Sequence, residues 1–172
     1  MLNVRPAACL LRSDLFAKGE RQDTTSISIA YTHTIADSRL DAAAIDYIDA
    51  GKAFFGCSFH YVVMVDGTIE IGRDPKTMSA RGRSSIRRQD TLFIGVVGGL
   101  HHDTGQRLDT MTEAQREALA DLEQAISNTL QKELDVIDHT IEWTGRAKIE
   151  DAQDAQEVAL EAELDRIEQA SI

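Results

Sequence analysis

Between Ser26 and Thr34 the chain alternates, with Ile27, Ile29 and Tyr31 on one side and Ser28, Ala30 and Thr32 on the other. That period of two predicts a half-buried strand, and it delivers His33 to the strand's carboxyl end. From Ser38 the period lengthens: Leu40, Ala44, Ile45 and Ile48 recur at helical spacing, with Ser38 or Asp41 placed to cap a helix and Gly51 to stop it. The segment FHYVVMVDGTIEIGRD, Phe59 to Asp74, returns to strand character. It reads as a hairpin turning at Asp66-Gly67, since glycine tolerates the positive φ that tight turns need. The returning strand closes on Arg73 and Asp74, a pair with the look of buried charges.

Further along, TLFIGVVGGL is a continuous apolar run, the mark of a central strand covered on both faces. Thr112 and Gln115 then form a capping box ahead of a stripe made by Leu119, Leu122, Ile126 and Leu130, which predicts an amphipathic helix. A short strand in LDVIDHTIEW follows and carries His139. From Glu150 the chain holds eight carboxylates against Arg166 alone, with Val158, Leu160, Leu164 and Ile167 near helical spacing, so an acidic amphipathic helix is expected there. Strand, helix, hairpin, strand, helix, strand and terminal helix predict an α/β (α+β) single domain with a mixed central sheet flanked by helices. Residues 1–25 read as an arm or edge strand, 26–151 as the domain, and 152–172 as an extra acidic C-terminal helix.

At 172 residues the chain suits one core. The net charge of −11 would repel phosphate backbones, which argues against a nucleic-acid partner. Cys9 and Cys57 form no disulfide framework, so a cytoplasmic location is expected. No apolar run approaches the roughly 18 residues of a membrane span. The patch AACLL is broken by Arg12, Ser13 and Asp14 before it reaches a secretory core, so no signal peptide is expected. The stretch SARGRSSIRRQD, with Arg81, Arg83, Arg87 and Arg88, reads as a solvated loop.

The candidate chemistry lies with the histidines. A lone histidine is usually structural, but His33 and His139 each fall at or just past a strand end, where open sheets gather ligands. A catalytic zinc site needs three protein ligands and an open position. Beyond His139, Lys148, Glu150 and Asp151 follow within a short stretch. A carboxylate there would complete a His-His-carboxylate set, and Lys148 would steady an oxyanion; equally, these are ordinary charges at the start of an acidic helix, where the dipole favours carboxylates. His101-His102 lies in a turn-rich stretch and reads as solvent-exposed. Gly98-Gly99 matches no phosphate-binding spacing, and Cys57 has no base near it in sequence.

The hairpin Phe59 to Asp74, followed by SARG, FIGVVGG and TEAQREAL, resembles the zinc-dependent N-acetylmuramoyl-L-alanine amidases, a family that includes short phage lysozymes and the peptidoglycan recognition proteins (PGRPs). The similarity covers roughly residues 26–151. It implies a zinc ion held by His33, which has Ala36 three residues later as family members do, and by His139. Glu150 or Asp151 is the third ligand and Lys148 the catalytic lysine, the Gly-Arg-Lys-x-Asp ending being stretched by one residue in GRAKIED. A second register places Thr32 at the first ligand position and leaves no metal site. Two departures stand out: Phe59 occupies a position where the family carries a proton-handling Tyr or Glu, and the loop histidine expected near Ser79 is absent. The resemblance implies hydrolysis of the amide between N-acetylmuramic acid and L-alanine in peptidoglycan or a muropeptide, as in an endolysin. The alternative is a catalytically inactive amidase-fold protein acting as a binding, regulatory or virion component, for example on a polymerase, with the acidic C-terminal helix as its contact with a protein partner.

Overall fold

The computed structural model describes residues 2–6, 23–32, 34–35, 40–51, 56–79 and 89–140. Its strands are β1 (Val4–Pro6), β2 (Ser26–Tyr31), β3 (Thr34–Ile35), β4 (Tyr61–Val63), β5 (Ile69–Ile71), β6 (Thr91–Val96), β7 (Gly99–Leu100) and β8 (Asp135–Asp138). Helix α1 (Ala42–Gly51) lies between β3 and β4, and α2 (Glu113–Leu130) between β7 and β8. Six strands form one sheet in the order β1-β5-β4-β6-β2-β8, and β3 pairs with β7 in a small second sheet. Every pairing in the large sheet is parallel except β4 with β5, so the sheet is mixed.

The expected hairpin is β4–β5. Gly67 sits at φ 81° in its turn, and the Asp66 carboxylate accepts the Thr68 amide at 2.9 Å. Arg73 and Asp74 part company after it. Arg73 is 5% exposed, as expected, whereas Asp74 lies in a surface turn and accepts the Lys76 amide.

β6 is buried at every position because it lies between β4 and β2 and is covered on both faces. Leu92, Ile94 and Val96 join Ile27, Ile29 and Tyr31 of β2 against Leu119, Leu122 and Ile126 of α2. Phe93 and Val97 turn the other way and pack with Phe59, Val62 and Met64 against Ala42 and Ile45 of α1. Each such aliphatic side chain contributes roughly 1.5–3 kcal/mol on full burial, so a double-sided strand anchors both layers. The apolar stripe foreseen on α2 runs as far as Ile126; Leu130, in the last turn, is 38% exposed.

Both helices start as the sequence predicts. The Asp41 carboxylate accepts the Ala44 amide at the start of α1. At α2 the Thr112 hydroxyl accepts the Gln115 amide while the Gln115 side-chain oxygen accepts the Thr112 amide, the reciprocal pair of a capping box. The Gln115 amide nitrogen then donates to the carbonyls of Val63 (3.2 Å) and Val97 (3.0 Å), so one fully buried side chain pins the helix to two strands. The terminal helix expected from Glu150 and the basic loop over residues 80–88 lie outside the described residues.

Candidate functional site

β4, β6, β2 and β8 are mutually parallel, so their carboxyl ends emerge on one edge of the sheet. Open sheets with helices on their faces place ligands at such an edge, where backbone groups and loops converge. His33 lies outside the described residues, yet the chain is fixed on both sides of it. The Thr32 amide donates to the Val96 carbonyl at 2.9 Å, and Thr34 pairs with Gly99 across β3 and β7. His139 follows β8, whose register sets Ile29 of β2 opposite Asp138. It therefore leaves the strand adjacent to the one that runs toward His33. The Asp138 carboxylate accepts both the amide (2.8 Å) and the hydroxyl (2.6 Å) of Thr140, which holds the helical residues His139 and Thr140 to the end of β8, His139 being half-buried.

Lys148, Glu150 and Asp151 lie outside the described residues. Among the described residues no three His, Cys, Asp or Glu side chains gather as a metal-binding group. Of the residues expected to bind zinc, His139 is the one described, and it stands just past the end of β8, the strand beside β2.

The remaining histidines have other places. His60 is fully buried; its Nδ1 accepts the Phe93 amide and its Nε2 donates to the Thr77 carbonyl, both at 2.9 Å. Both ring nitrogens are thus committed to backbone, which makes His60 a scaffold residue. His101 accepts two amides, from Asp103 and Thr104, on Nδ1, and His102 is exposed beside Asp103.

Phe59 does not stand in an open site. It is 1% exposed, and its ring lies against the backbone of Gly95, where an added Cβ would come within 2.7 Å of it. The ring fills the space that the glycine leaves, and no ionisable group reaches solvent from that position. Behind it runs a buried polar layer. Asp46 accepts the Cys57 amide (2.5 Å), Asp49 accepts the amide and hydroxyl of Ser58 (3.0 and 2.6 Å), and the Arg73 Nε donates to the Cys57 carbonyl (2.8 Å). Burial draws the Arg73 pKa down from its usual value, while Cys57, Asp46 and Asp49 press it back up. These groups tie α1 to the chain entering and leaving the hairpin.

One network at the carboxyl edge has no counterpart in the sequence patterns. The Tyr31 hydroxyl donates to Asp109, whose other oxygen accepts Arg116 at 2.8 Å. Burial, then the bond to Asp109, pushes the Tyr31 phenol well above its ordinary pKa. Burial alone would raise Asp109, but the hydrogen bonds from Tyr31, the Met111 amide and Arg116 outweigh it and hold that carboxyl below the usual range. Periodicity assigns Tyr31 to the core, which is correct for its ring and silent about its hydroxyl.

No protein-family model matches the sequence, and no curated protein matches it. Solved structures do share its fold. The amidase LysC from Clostridium intestinale URNW superposes with a TM-score of 0.61 at 17% identity, covering 81% of this chain and 83% of that one. The Ph2119 endolysin from the Thermus scotoductus MAT2119 bacteriophage gives 0.56 at 19% identity over 82% and 87%. The bumblebee recognition protein PGRP-SA gives 0.57 at 13% identity over 80% and 83%. The chain thus has the mixed α/β fold of the amidase endolysins and PGRPs.

Proposed function

We propose that this protein is a divergent zinc-dependent N-acetylmuramoyl-L-alanine amidase, acting on peptidoglycan or a muropeptide in the manner of an endolysin. The observation that carries this reading is the placement of His139 just past the end of β8, the strand beside β2, in a fold that LysC and the Ph2119 endolysin share. His33, His139 and either Glu150 or Asp151 would hold the metal. A zinc ion so held supplies Lewis-acid polarisation of the scissile carbonyl and a water of lowered pKa. Lys148, as a cation near the reacting carbonyl, would stabilise the oxyanion that forms there. The Thr32 amide, which donates to the Val96 carbonyl, and Asp138, which accepts from Thr140, hold the backbone beside the two histidine positions.

Zinc content decides the matter first. Purified protein is expected to carry about one zinc per chain, and His33→Ala or His139→Ala to lose it; a metal-free wild type that cannot be loaded overturns the reading. Release of L-alanyl peptide from muropeptide is the second measurement, with Lys148→Ala expected to lower kcat by about 10²–10³.

A second reading follows from Phe59. A general acid or base contributes about 10²–10⁴-fold to a rate, and position 59 offers a buried hydrocarbon ring instead. An amidase fold without catalysis would then serve as a muropeptide-binding protein, as PGRP-LE is seen in complex with tracheal cytotoxin. Zinc and muropeptide binding without turnover would select this reading, and measurable turnover regained in Phe59→Tyr would assign the loss to position 59.

A further inference from the structure

β8 closes one side of the large sheet: it pairs with β2, and among the described residues no strand lies beyond it. The Asp135 amide donates to the Thr25 carbonyl at 3.1 Å. In a parallel ladder this sets the backbone groups of Asp135 and Ile137 toward β2 and turns those of Val136 and Asp138 outward. Such an edge offers its amides and carbonyls to a further extended chain.

The middle of this edge is apolar on both faces of the sheet. Val136, opposite Ile27, stands on the α2 face and is 48% exposed; Ile137, opposite Ser28, stands on the α1 face and is 37% exposed. Carboxylates bracket the pair. Asp135 is exposed on one side, and on the other Asp138 faces Glu123 of α2. From Glu113 to Asp138 the chain has seven carboxylates against Arg116 and Lys132.

Charge decides what this edge accepts. If a second copy paired its own Val136 and Ile137 here, carboxylate would meet carboxylate in either strand direction, and like charges directly opposite destabilise a pair. The segment from Glu150, with eight carboxylates against Arg166, is repelled in the same way. A strand with two apolar residues between cations is complementary in either direction: its cations stand opposite Asp135 and Asp138, and its apolar pair opposite Val136 and Ile137. We propose that the outer edge of β8 docks an extended segment of a partner protein in which two apolar residues lie between Lys or Arg residues, the segment joining the six-stranded sheet as a further strand. The proposal depends on neither zinc nor amidase activity.

The probe is the blocked peptide acetyl-Gly-Lys-Val-Ile-Lys-Gly-amide, titrated into the full chain while backbone amide NMR shifts are followed. Saturable shifts are expected at residues 135–138. The same peptide with Glu in place of Lys, or with N-methyl groups on its four central residues, should not bind. Asp135→Asn should weaken binding about two- to fivefold, the scale of an exposed ion pair, and leave thermal unfolding unchanged. Val136→Pro removes an outward amide and no bond to β2, so it should abolish binding, whereas Val136→Thr, which keeps the amide, should retain it. Absence of shifts at 135–138, or equal binding of the acidic or N-methylated peptide, overturns the proposal. Slow hydrogen exchange at the Val136 amide of the free chain also overturns it, because the edge is then already covered: by the chain itself if sedimentation gives a monomer, by a second copy if it gives a dimer.

Discussion

Gln115 and Gly95 show how much a single position carries in this molecule. Gln115 closes the cap of α2 and satisfies the carbonyls of Val63 and Val97 from a fully buried position. Gln115→Met keeps the volume and strands those acceptors, so urea unfolding should register a loss of about 2–4 kcal/mol. A stability within error of wild type would mean that water or a backbone shift replaces the amide. Gly95 answers a different constraint, because the Phe59 ring lies where its side chain would be. Gly95→Ala should cost about 1–3 kcal/mol through overpacking. The double variant Phe59→Leu/Gly95→Ala should cost less than the sum of its parts, since the two side chains compete for one space. Neither pairing is visible in the sequence: Gln115 announces itself as a helix cap, and nothing local to Gly95 points to a ring brought from β4's entrance.

At the scale of elements, the start of α1 is held to the sheet by a buried carboxylate. Glu70 of β5 is 4% exposed; it accepts the Ala42 amide at the start of α1 (2.7 Å) and the Arg5 side chain of β1 (2.8 Å). The two bonds differ in worth. Arg5 is 57% exposed, so Arg5→Ala should cost about 0.2–1 kcal/mol, the range of surface ion pairs. Glu70→Ala should cost more, about 1–3 kcal/mol, because it leaves a helix N-terminal amide without its acceptor. Hydrogen exchange at residues 42–46 would locate the loss: faster exchange there in Glu70→Ala and not in Arg5→Ala is the expected pattern. The helix and strands themselves were legible in their periodicities. The short pairs β1–β5 and β3–β7 were not, since strands of three and two residues are too brief to show a period.

Across the whole molecule, charge sets the pH dependence. Glu123 faces Asp138, and burial first, then that neighbouring charge, raises its pKa. A carboxyl raised on folding stabilises the fold below its unfolded pKa, about 4.3, and that contribution is lost as pH climbs through the raised value. Glu123→Gln should therefore raise Tm at pH 7, with the advantage disappearing near pH 4; an equal gain at both values would point to a cause other than ionisation. Asp109 has the opposite sign: its lowered pKa contributes stability above the usual carboxylate range, lost as pH falls through the depressed value. The amino-acid sequence by itself determined the hairpin, the doubly buried central strand, the capped amphipathic helix and the position of His139 just past a strand end, because each is written in the spacing of neighbouring residues. Tertiary structure alone decided that Phe59 is core and that Asp74 is exposed while Arg73 is buried. Those outcomes depend on which strands become neighbours and in what register, a result of long-range packing that no local period encodes.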